Sequence, residues 1–337
     1  MLNIVSKSRA RLGRAARFMG LMPPREGDGL KPGVVMKIEP DARVIREEPV
    51  THFLWLDRPS AGRDIKRKLK RGEITAGEAD LLRFWAENGY MVIPQCVEPA
   101  RIDAALGDVD RMWNEKWHVS IDLLAPVYER TFVNKAPPES RLAPHKLNHL
   151  DKHSEAVRAI FLHQRIIRMI SLIFQNEVVG VNTLTFQFGS QQTMHVDHVY
   201  MTPSPPRRMV AAWVALEDVK PDSGPLELWP KSHQLPPFRW DTSYPYHYKP
   251  DEQPLHEQFL MSQQHRFRNE RFMAKKGDVL LWHSLLAHGG SHIDNLTQTR
   301  FSMACHYFSK ECFGENVAEL VQHPGVWTTR AGMDDPD

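Results

Sequence analysis

Residues 194–198 read Met-His-Val-Asp-His, and the rest of the chain is best interpreted outward from this stretch. On an extended strand, residues i and i+2 point to the same face, so His195 and Asp197 would present an imidazole and a carboxylate side by side. Those two groups make two-thirds of a metal site, and the third ligand is expected from a distant strand. His288 follows the apolar run Val279–Trp282 and supplies it. The sequence therefore predicts a metal held by His195, Asp197 and His288.

A second histidine, His283, competes with His288 for the third position. The two are five positions apart, an odd spacing, so on one straight strand they would face opposite sides. A His-x-Asp pair alone is weak evidence, because the chain has 17 histidines and two inert, hydrogen-bonded polar residues would look the same. The order of the motifs strengthens the metal interpretation, since Arg300 follows His288 at the start of a further apolar strand.

The composition is that of an ordinary globular protein. The chain has 337 residues, 42% of them hydrophobic and 25% charged, with a formal net charge of +2. No global field therefore argues for nucleic acid or a membrane, so no nucleic-acid partner is expected, while the oligomeric state is left open. Three cysteines form neither a zinc spacing nor a disulfide framework, which favours a reducing, cytoplasmic compartment. No apolar run approaches the roughly 20 residues that span a bilayer.

Two basic segments precede the predicted domain. Residues 1–24 contain no acid and carry five cations, which is compatible with a membrane-surface helix, an organelle-targeting segment or a loosely ordered terminus. We favour the loosely ordered terminus. Residues 66–71 form a second cluster, for which a solvated helix face is preferred over a nucleic-acid patch because no aromatic residues interleave with the charges.

Helical signals dominate the first half of the chain and strand signals the second. Thr75 is a candidate N-cap for a helix ending at Asn88-Gly89, and Glu78 completes a capping box. Further helices are expected from Pro99 and over residues 152–175, and strands over 90–94, 178–188, 209–216, 227–229, 279–282 and 300–308. This order predicts a mainly β fold with flanking helices and a double-stranded β-helix core, that is, a cupin-like jelly roll.

The chain divides into three predicted regions. Residues 1–75 form an N-terminal extension that is partly irregular, residues 76–315 form the jelly-roll domain, and residues 316–337 form a C-terminal tail. Within the domain, residues 234–272 are a long connection rich in Pro, Tyr, His and Arg. Connections of this length are usually functional, which predicts a lid or an insert.

Several stretches, in a fixed order, resemble the phytanoyl-CoA dioxygenase (PhyH) family of Fe(II)/2-oxoglutarate oxygenases. They are residues 82–94, the His195-Val196-Asp197 dyad, residues 212–216, residues 224–233, and residues 277–289 followed by Arg300. One departure is Lys231, where a glycine is usual before Ser-His. The resemblance covers residues 77–310 and leaves residues 1–60 and 234–272 unexplained.

The resemblance implies a site that binds Fe(II), 2-oxoglutarate and O₂. The iron ligands would be His195, Asp197 and His288, and Arg300 would bind the distal carboxylate of 2-oxoglutarate. The remaining co-substrate contacts would be Trp213, Ser291 and Lys146. For Lys146 a surface lysine is an equally good interpretation of the sequence.

The implied reaction is hydroxylation of a small organic substrate, with release of succinate and CO₂. Asp197 favours hydroxylation, or another oxidation, over halogenation, because related halogenating sites replace this carboxylate with a small residue. Two alternatives remain open: a non-catalytic jelly-roll module that binds a metal or small molecule, and a cupin-like metal isomerase that ignores 2-oxoglutarate. The substrate is not determined, although Tyr200, Arg207 and Arg208 are candidates for shaping its pocket.

Overall fold

The computed structural model describes residues 43–124, 128–242, 244–314 and 319–330. The basic segment 1–24 lies outside these ranges, and so do the expectations that concern it. Within them the chain forms thirteen β-strands and six α-helices. The helices are α1 (Ala61–Lys70), α2 (Ala76–Asn88), α3 (Pro99–Glu115), α4 (Glu155–Phe161), α5 (Gln164–Phe174) and α6 (Gln253–Ser262).

Helix α2 begins and ends where its sequence predicts. The Thr75 hydroxyl accepts a hydrogen bond from the amide of Glu78, and the Glu78 carboxylate accepts one from the amide of Thr75. Gly89 ends the helix with a φ of 80°, in the left-handed region that glycine adopts without steric cost. The capping box and the left-handed glycine each involve residues within one helical turn, which is why the sequence alone suffices here.

The single helix predicted over residues 152–175 is wrong, because the structure has two helices there. His163 lies between α4 and α5 with an extended backbone, at φ −60° and ψ 127°. Its Nε2 lies 3.5 Å from Glu98 Oε2, at the start of α3. Both helices bury their apolar residues in the same core, so the apolar pattern continues across the break and does not reveal it.

Most strands belong to one large sheet. Its order is β1 (Tyr90–Ile93), β9 (Val279–His283), β6 (Met209–Ala215), β11 (Ser302–Ser309), β5 (Val178–Phe186), β4 (His145–Asn148), β2 (Ser120–Leu123) and β3 (Glu129–Phe132), with antiparallel neighbours throughout. A hairpin of β12 (Leu320–His323) and β13 (Val326–Thr329) joins it through parallel pairing of β13 with β5. A smaller sheet contains β10 (His288–Gly290), β7 (Leu226–Leu228) and β8 (Glu270–Phe272).

The large sheet is buried on both faces. On β11, Met303, Cys305 and Tyr307 pack among the helices, whereas Ala304 packs with Leu226 and Leu228 of the small sheet. Two covered faces explain why the central strands are almost continuously apolar in sequence. The predicted mainly β fold with flanking helices is confirmed, and the space between the two sheets is where side chains can form a site.

Parts of both predicted end regions belong to the same folded unit. Leu54 and Ile65 lie in the helical core, and the indole nitrogen of Trp55 donates a hydrogen bond to the carbonyl of Leu172 on α5. The hairpin β12–β13 falls within the predicted C-terminal tail. The domain boundaries at residues 75 and 315 stay a prediction. Among the residues described, no helix is long and apolar enough to cross a lipid bilayer.

The connection 234–272 contains α6 and packs directly behind the His195-Asp197 stretch. Phe238, Trp240 and Phe259 from this connection form a buried cluster with Val199 and Tyr200. The connection thus forms part of the wall that positions residues 196–201. Its behaviour as a lid stays a prediction.

Lys231 precedes this connection and has a φ of 71°. That is the left-handed region, where a side chain is strained and a glycine is favoured. The ammonium of Lys231 lies 2.9 Å from Glu87 Oε1. Lys231, which departs from the family pattern, therefore lies at a position whose backbone conformation favours glycine.

Candidate metal and co-substrate site

His195 and Asp197 lie at the end of an extended segment. His195 pairs with His288 as an isolated bridge through two backbone hydrogen bonds of 2.9 Å each. Asp197 then opens a 3₁₀ turn over Asp197–Val199. The regular strand that the sequence predicts is thus reduced to one bridge, because the backbone turns at Asp197. Val196 keeps an extended conformation, at φ −123° and ψ 136°, so the two side chains still point to the same side.

The three predicted ligands converge on one point. Nε2 of His288 lies 3.5 Å from Asp197 Oδ1, and Nε2 of His195 lies 3.7 Å from the same oxygen. One donor atom from each of the three side chains lies within 4.8 Å of the others, and all three residues are buried. Residues far apart in the chain are therefore brought to the spacing that one ion requires.

Backbone carbonyls fix the orientation of both imidazoles. His195 Nδ1 lies 2.7 Å from the carbonyl oxygen of Thr193, and His288 Nδ1 lies 2.9 Å from that of Leu286. A carbonyl only accepts, so each Nδ1 carries the proton and each Nε2 keeps its lone pair. Such bonds to the outer nitrogen are typical of metal-binding histidines.

Burial and mutual charge set the protonation of the three groups. Burial, aided by the nearby His288, lowers the pKa of His195 to about 3. Burial acts to raise the pKa of Asp197, but the neighbouring imidazoles, His288 foremost, outweigh it and hold that pKa below its ordinary range. Burial lowers the pKa of His288, yet the Asp197 carboxylate outweighs burial and the pKa ends above its ordinary value. At neutral pH the site therefore contains an ionised carboxylate beside a neutral His195.

Arg300 lies in the same cavity as a buried cation, with 1% of its surface exposed. Nη1 donates to the carbonyl of Gly224 at 2.8 Å, Nη2 lies 3.4 Å from Ser302 Oγ, and the guanidinium stands 5.5 Å from the ring centre of Trp213. Burial lowers the pKa of Arg300 to about 10, so the charge persists at neutral pH. Among the described residues Nε has no hydrogen-bond partner, which is costly unless a ligand acceptor occupies the cavity.

Lys146 is not a surface lysine, since only 1% of it is exposed and it lines the cavity. Its Nζ lies 3.0 Å from Asp122 Oδ2. The Asp122 carboxylate also accepts hydrogen bonds from Arg130, at 2.6 Å from Nε and 3.1 Å from Nη2. The Asp122 carboxylate on β2 is thus flanked by two cations, Lys146 on β4 and Arg130 on β3.

Six of the seven site residues predicted from the sequence line one cavity between the sheets: His195, Asp197, His288, Arg300, Trp213 and Lys146. Ser291 is the exception. Its side chain is buried but does not line the cavity, and its hydroxyl has no hydrogen-bond partner in the part of the chain that the structure describes. His283 faces away from the site, with Nε2 3.5 Å from Asp57 Oδ2. It ends β9, whereas His288 begins β10 after a turn, so the two histidines do not lie on one straight strand.

Trp282 and Asn182 are among the cavity residues that the sequence-based prediction did not name, whereas His306 was open to interpretation as a pocket-lining or a structural histidine. The Trp282 indole N–H donates to Asp197 Oδ2 at 2.7 Å. His306 Nε2 lies 3.8 Å from the same oxygen, and His306 Nδ1 lies 2.9 Å from Asn182 Oδ1. The sequence contains a signal for Trp282, because a residue next to the outward-facing His283 must point inward on a strand.

The candidate substrate arginines are outside the cavity. Arg207 pairs with Glu48, and its Nη1 lies 3.7 Å from Asp57 Oδ2. Arg208 Nε lies 2.7 Å from Glu311 Oε1. Neither arginine therefore helps to shape the cavity, since both anchor other segments. Tyr200 does line the cavity, as expected.

A family model described as phytanoyl-CoA dioxygenase (PhyH) matches residues 85–300. The chain belongs to the PhyH family. The peroxisomal phytanoyl-CoA dioxygenase of Rattus norvegicus is 22% identical over 249 residues, and that of Homo sapiens is 24% identical over 245 residues. Each of these alignments covers 68% of this chain and 68% of the relative. The predicted family resemblance is confirmed.

Solved structures share the PhyH fold of this chain at low sequence identity. The epimerase SnoN, in complex with Fe³⁺, alpha ketoglutarate and nogalamycin RO, superposes with a TM-score of 0.54 at 15% identity, covering 77% of this chain and 97% of SnoN. EctD from S. alaskensis with bound Fe superposes with a TM-score of 0.51 at 16% identity, covering 70% of this chain and 77% of EctD. These likenesses are of fold, and they confirm the predicted jelly-roll class.

Proposed function

We propose that the protein is an Fe(II)- and 2-oxoglutarate-dependent dioxygenase that hydroxylates a small organic substrate, with release of succinate and CO₂. The observation that carries the proposal is one cavity with two complementary parts. Two imidazoles and a carboxylate converge at one part, and the buried guanidinium of Arg300, whose Nε has no hydrogen-bond partner among the described residues, lies on the wall of the same cavity. Metal affinity and dicarboxylate affinity are thus combined in one space.

The donor set fits Fe(II). Two histidines and one carboxylate on one face of an ion form the facial triad of non-haem iron oxygenases, which leaves positions open for other ligands. The carbonyls of Thr193 and Leu286 hold both Nε2 lone pairs toward the Asp197 carboxylate, so little reorganisation is needed when a metal binds. Fe(II) held there would supply the activation of O₂ that is coupled to decarboxylation of 2-oxoglutarate.

The other cavity residues fit the co-substrate. The Arg300 fork can donate two parallel hydrogen bonds to a carboxylate, and Trp213 beside the guanidinium supplies a flat apolar wall. Lys146 adds a second buried cation, whose charge is shared with Asp122. Ser291 is not proposed as a direct contact, because it does not line the cavity.

Hydroxylation is the reaction that the ligand set favours. Asp197 would supply a third protein ligand to the metal, at the position that a halogenating site would leave to chloride. Fold alone does not select the reaction, since the structural neighbours include an enzyme named as an epimerase and one named as a carbocyclase. The curated relatives are named as peroxisomal, and the cytoplasmic compartment expected for this chain stays a prediction.

The proposal is tested by anaerobic titration of the purified protein with Fe(II) and 2-oxoglutarate. We expect a weak visible charge-transfer band that requires both additions and is lost in Asp197→Ala. Absence of the band, together with no rise in Tm on adding metal and 2-oxoglutarate, would contradict the proposal and favour the non-catalytic module. Metal binding without any response to 2-oxoglutarate would instead favour the isomerase, whose activity should survive Arg300→Ala.

A further inference from the structure

We infer that Trp282 is a positioning residue for the metal site, holding Asp197 so that only one carboxylate oxygen faces the two imidazoles. This inference rests on the proposed function. The indole N–H of Trp282 donates to Asp197 Oδ2 at 2.7 Å, and the indole ring centre lies 4.6 Å from that of His288. Trp282 therefore contacts two of the three proposed ligands without being a ligand itself.

The two oxygens of Asp197 have different surroundings. Oδ1 lies 3.5 Å and 3.7 Å from the Nε2 atoms of His288 and His195. Oδ2 is turned away from them, toward the Trp282 N–H and toward His306 Nε2 at 3.8 Å. A carboxylate held in this way offers Oδ1 to an ion while Oδ2 stays in its hydrogen bond.

Binding through one oxygen preserves open coordination positions. If the carboxylate rotated and bound through both oxygens, it would occupy one of the three positions left by a facial triad. A chelating keto acid and O₂ together need all three. The hydrogen bond from Trp282 opposes that rotation, because rotation would leave the buried N–H without its acceptor.

The backbone of Trp282 is well fixed. It lies in β9 between β1 and β6, opposite Tyr90 on one side and Ala211 on the other. Only 2% of its surface is exposed. A phenylalanine at this position would fill most of the same space but could not donate the hydrogen bond. The indole N–H is therefore the feature to test.

The test measures Mn(II) binding to the apoprotein, from the electron paramagnetic resonance signal of free Mn(II), in the wild type, Trp282→Phe and Trp85→Phe. Loss of an outer partner of a metal ligand typically weakens binding 10- to 100-fold, so we expect Trp282→Phe to raise the Kd about tenfold. Trp85 is a matched control, because it is fully buried in α2, does not line the cavity, and its Nε1 has no hydrogen-bond partner among the described residues. Its Kd should equal that of the wild type.

A second replacement covers the case in which Trp282→Phe does not fold. Site-specific incorporation of β-(3-benzothienyl)alanine at position 282 keeps the bicyclic shape and replaces only the N–H with sulfur, and the same rise is expected. An unchanged Kd in the folded variants overturns the inference, as does an equal rise in Trp85→Phe. A wild-type protein that binds no Mn(II) overturns the proposed function as well, so the two failures are distinguishable.

Discussion

Replacing Arg300 with lysine isolates the contribution of the guanidinium fork to co-substrate binding. The positive charge is kept, but the planar pair of donors is lost. In the wild type, Nη1 is bonded to the Gly224 carbonyl, while Nε has no hydrogen-bond partner among the described residues. A lysine cannot satisfy the carbonyl and present two parallel donors to a carboxylate at the same time.

The expected cost follows from these contacts. Arg300→Lys loses about one charge-assisted hydrogen bond to the ligand, and such bonds contribute about 1.5–3 kcal/mol. Because about 1.4 kcal/mol corresponds to a factor of ten, the Kd for 2-oxoglutarate should rise about 10- to 100-fold. The Mn(II) affinity should be unchanged, because Arg300 contacts none of the three proposed ligands in the described structure.

The assay needs no knowledge of the substrate. Mn(II)-loaded protein is titrated with 2-oxoglutarate, and binding is followed by tryptophan fluorescence, since Trp213 lies 5.5 Å from the guanidinium. Arg168→Lys is the control, because Arg168 forms a surface pair with Glu78 on the outer helices and should leave the Kd unchanged. A Kd for Arg300→Lys within twofold of the wild type would refute the proposed role of the fork.

Three further predictions concern stability. Asp122→Asn leaves the buried Lys146 and the partly buried Arg130 without their carboxylate and should lower the free energy of unfolding by about 3–5 kcal/mol at pH 7, measured by urea unfolding. The pKa of Asp122 is lowered in the folded protein, because its two cations outweigh burial. Its contribution to stability is therefore complete above the ordinary carboxyl pKa near 4 and declines below it. The difference in unfolding free energy between wild type and variant should narrow by about 1 kcal/mol at pH 3, and a constant difference would contradict this. Gly180→Ala should lower the unfolding free energy by about 1–3 kcal/mol, because a Cβ there would lie 2.4 Å from the Phe161 ring. Gly107→Ala, in open space on α3, should instead raise it by about 0.5–1 kcal/mol. Equal Tm shifts in the two variants would refute the steric reasoning. Thr75→Ala should lower the unfolding free energy by about 1 kcal/mol through loss of the cap, and an unchanged urea midpoint would argue against it.

Features that depend on neighbouring residues could be predicted from the sequence. The capping box of Thr75 and Glu78 and the left-handed Gly89 act within one turn, so they defined helix α2 correctly. Alternation along β9 predicts that Trp282 and His283 face opposite sides, but it does not extend to His288, which lies on β10 beyond a turn. The break at His163 was not predictable in this way, since a contact with Glu98 accompanies it.

The site shows the same division. The residue types in His195-Val196-Asp197, His288 and Arg300 determined that a hard metal and an anion would suit this chain. The tertiary structure decided that these residues converge, and it decided which of the other candidate residues line the cavity. Lys146 was equally plausible as a surface residue, and only sheet pairing placed it against Asp122 inside the cavity. Ser291 was expected at the site and is buried beside it instead.

Trp282 and Asp197 show the physical reason most directly. They are 85 positions apart, and their hydrogen bond depends on the register of β9 against β6 and on the turn that begins at Asp197. The local sequence pattern predicts that Trp282 points inward, because the alternation of side chains is a property of a single strand. Which carboxylate oxygen its N–H reaches is a property of two strands and a turn packed together. The sequence by itself therefore determined the chemistry available to the site, and tertiary packing decided the atoms that carry it.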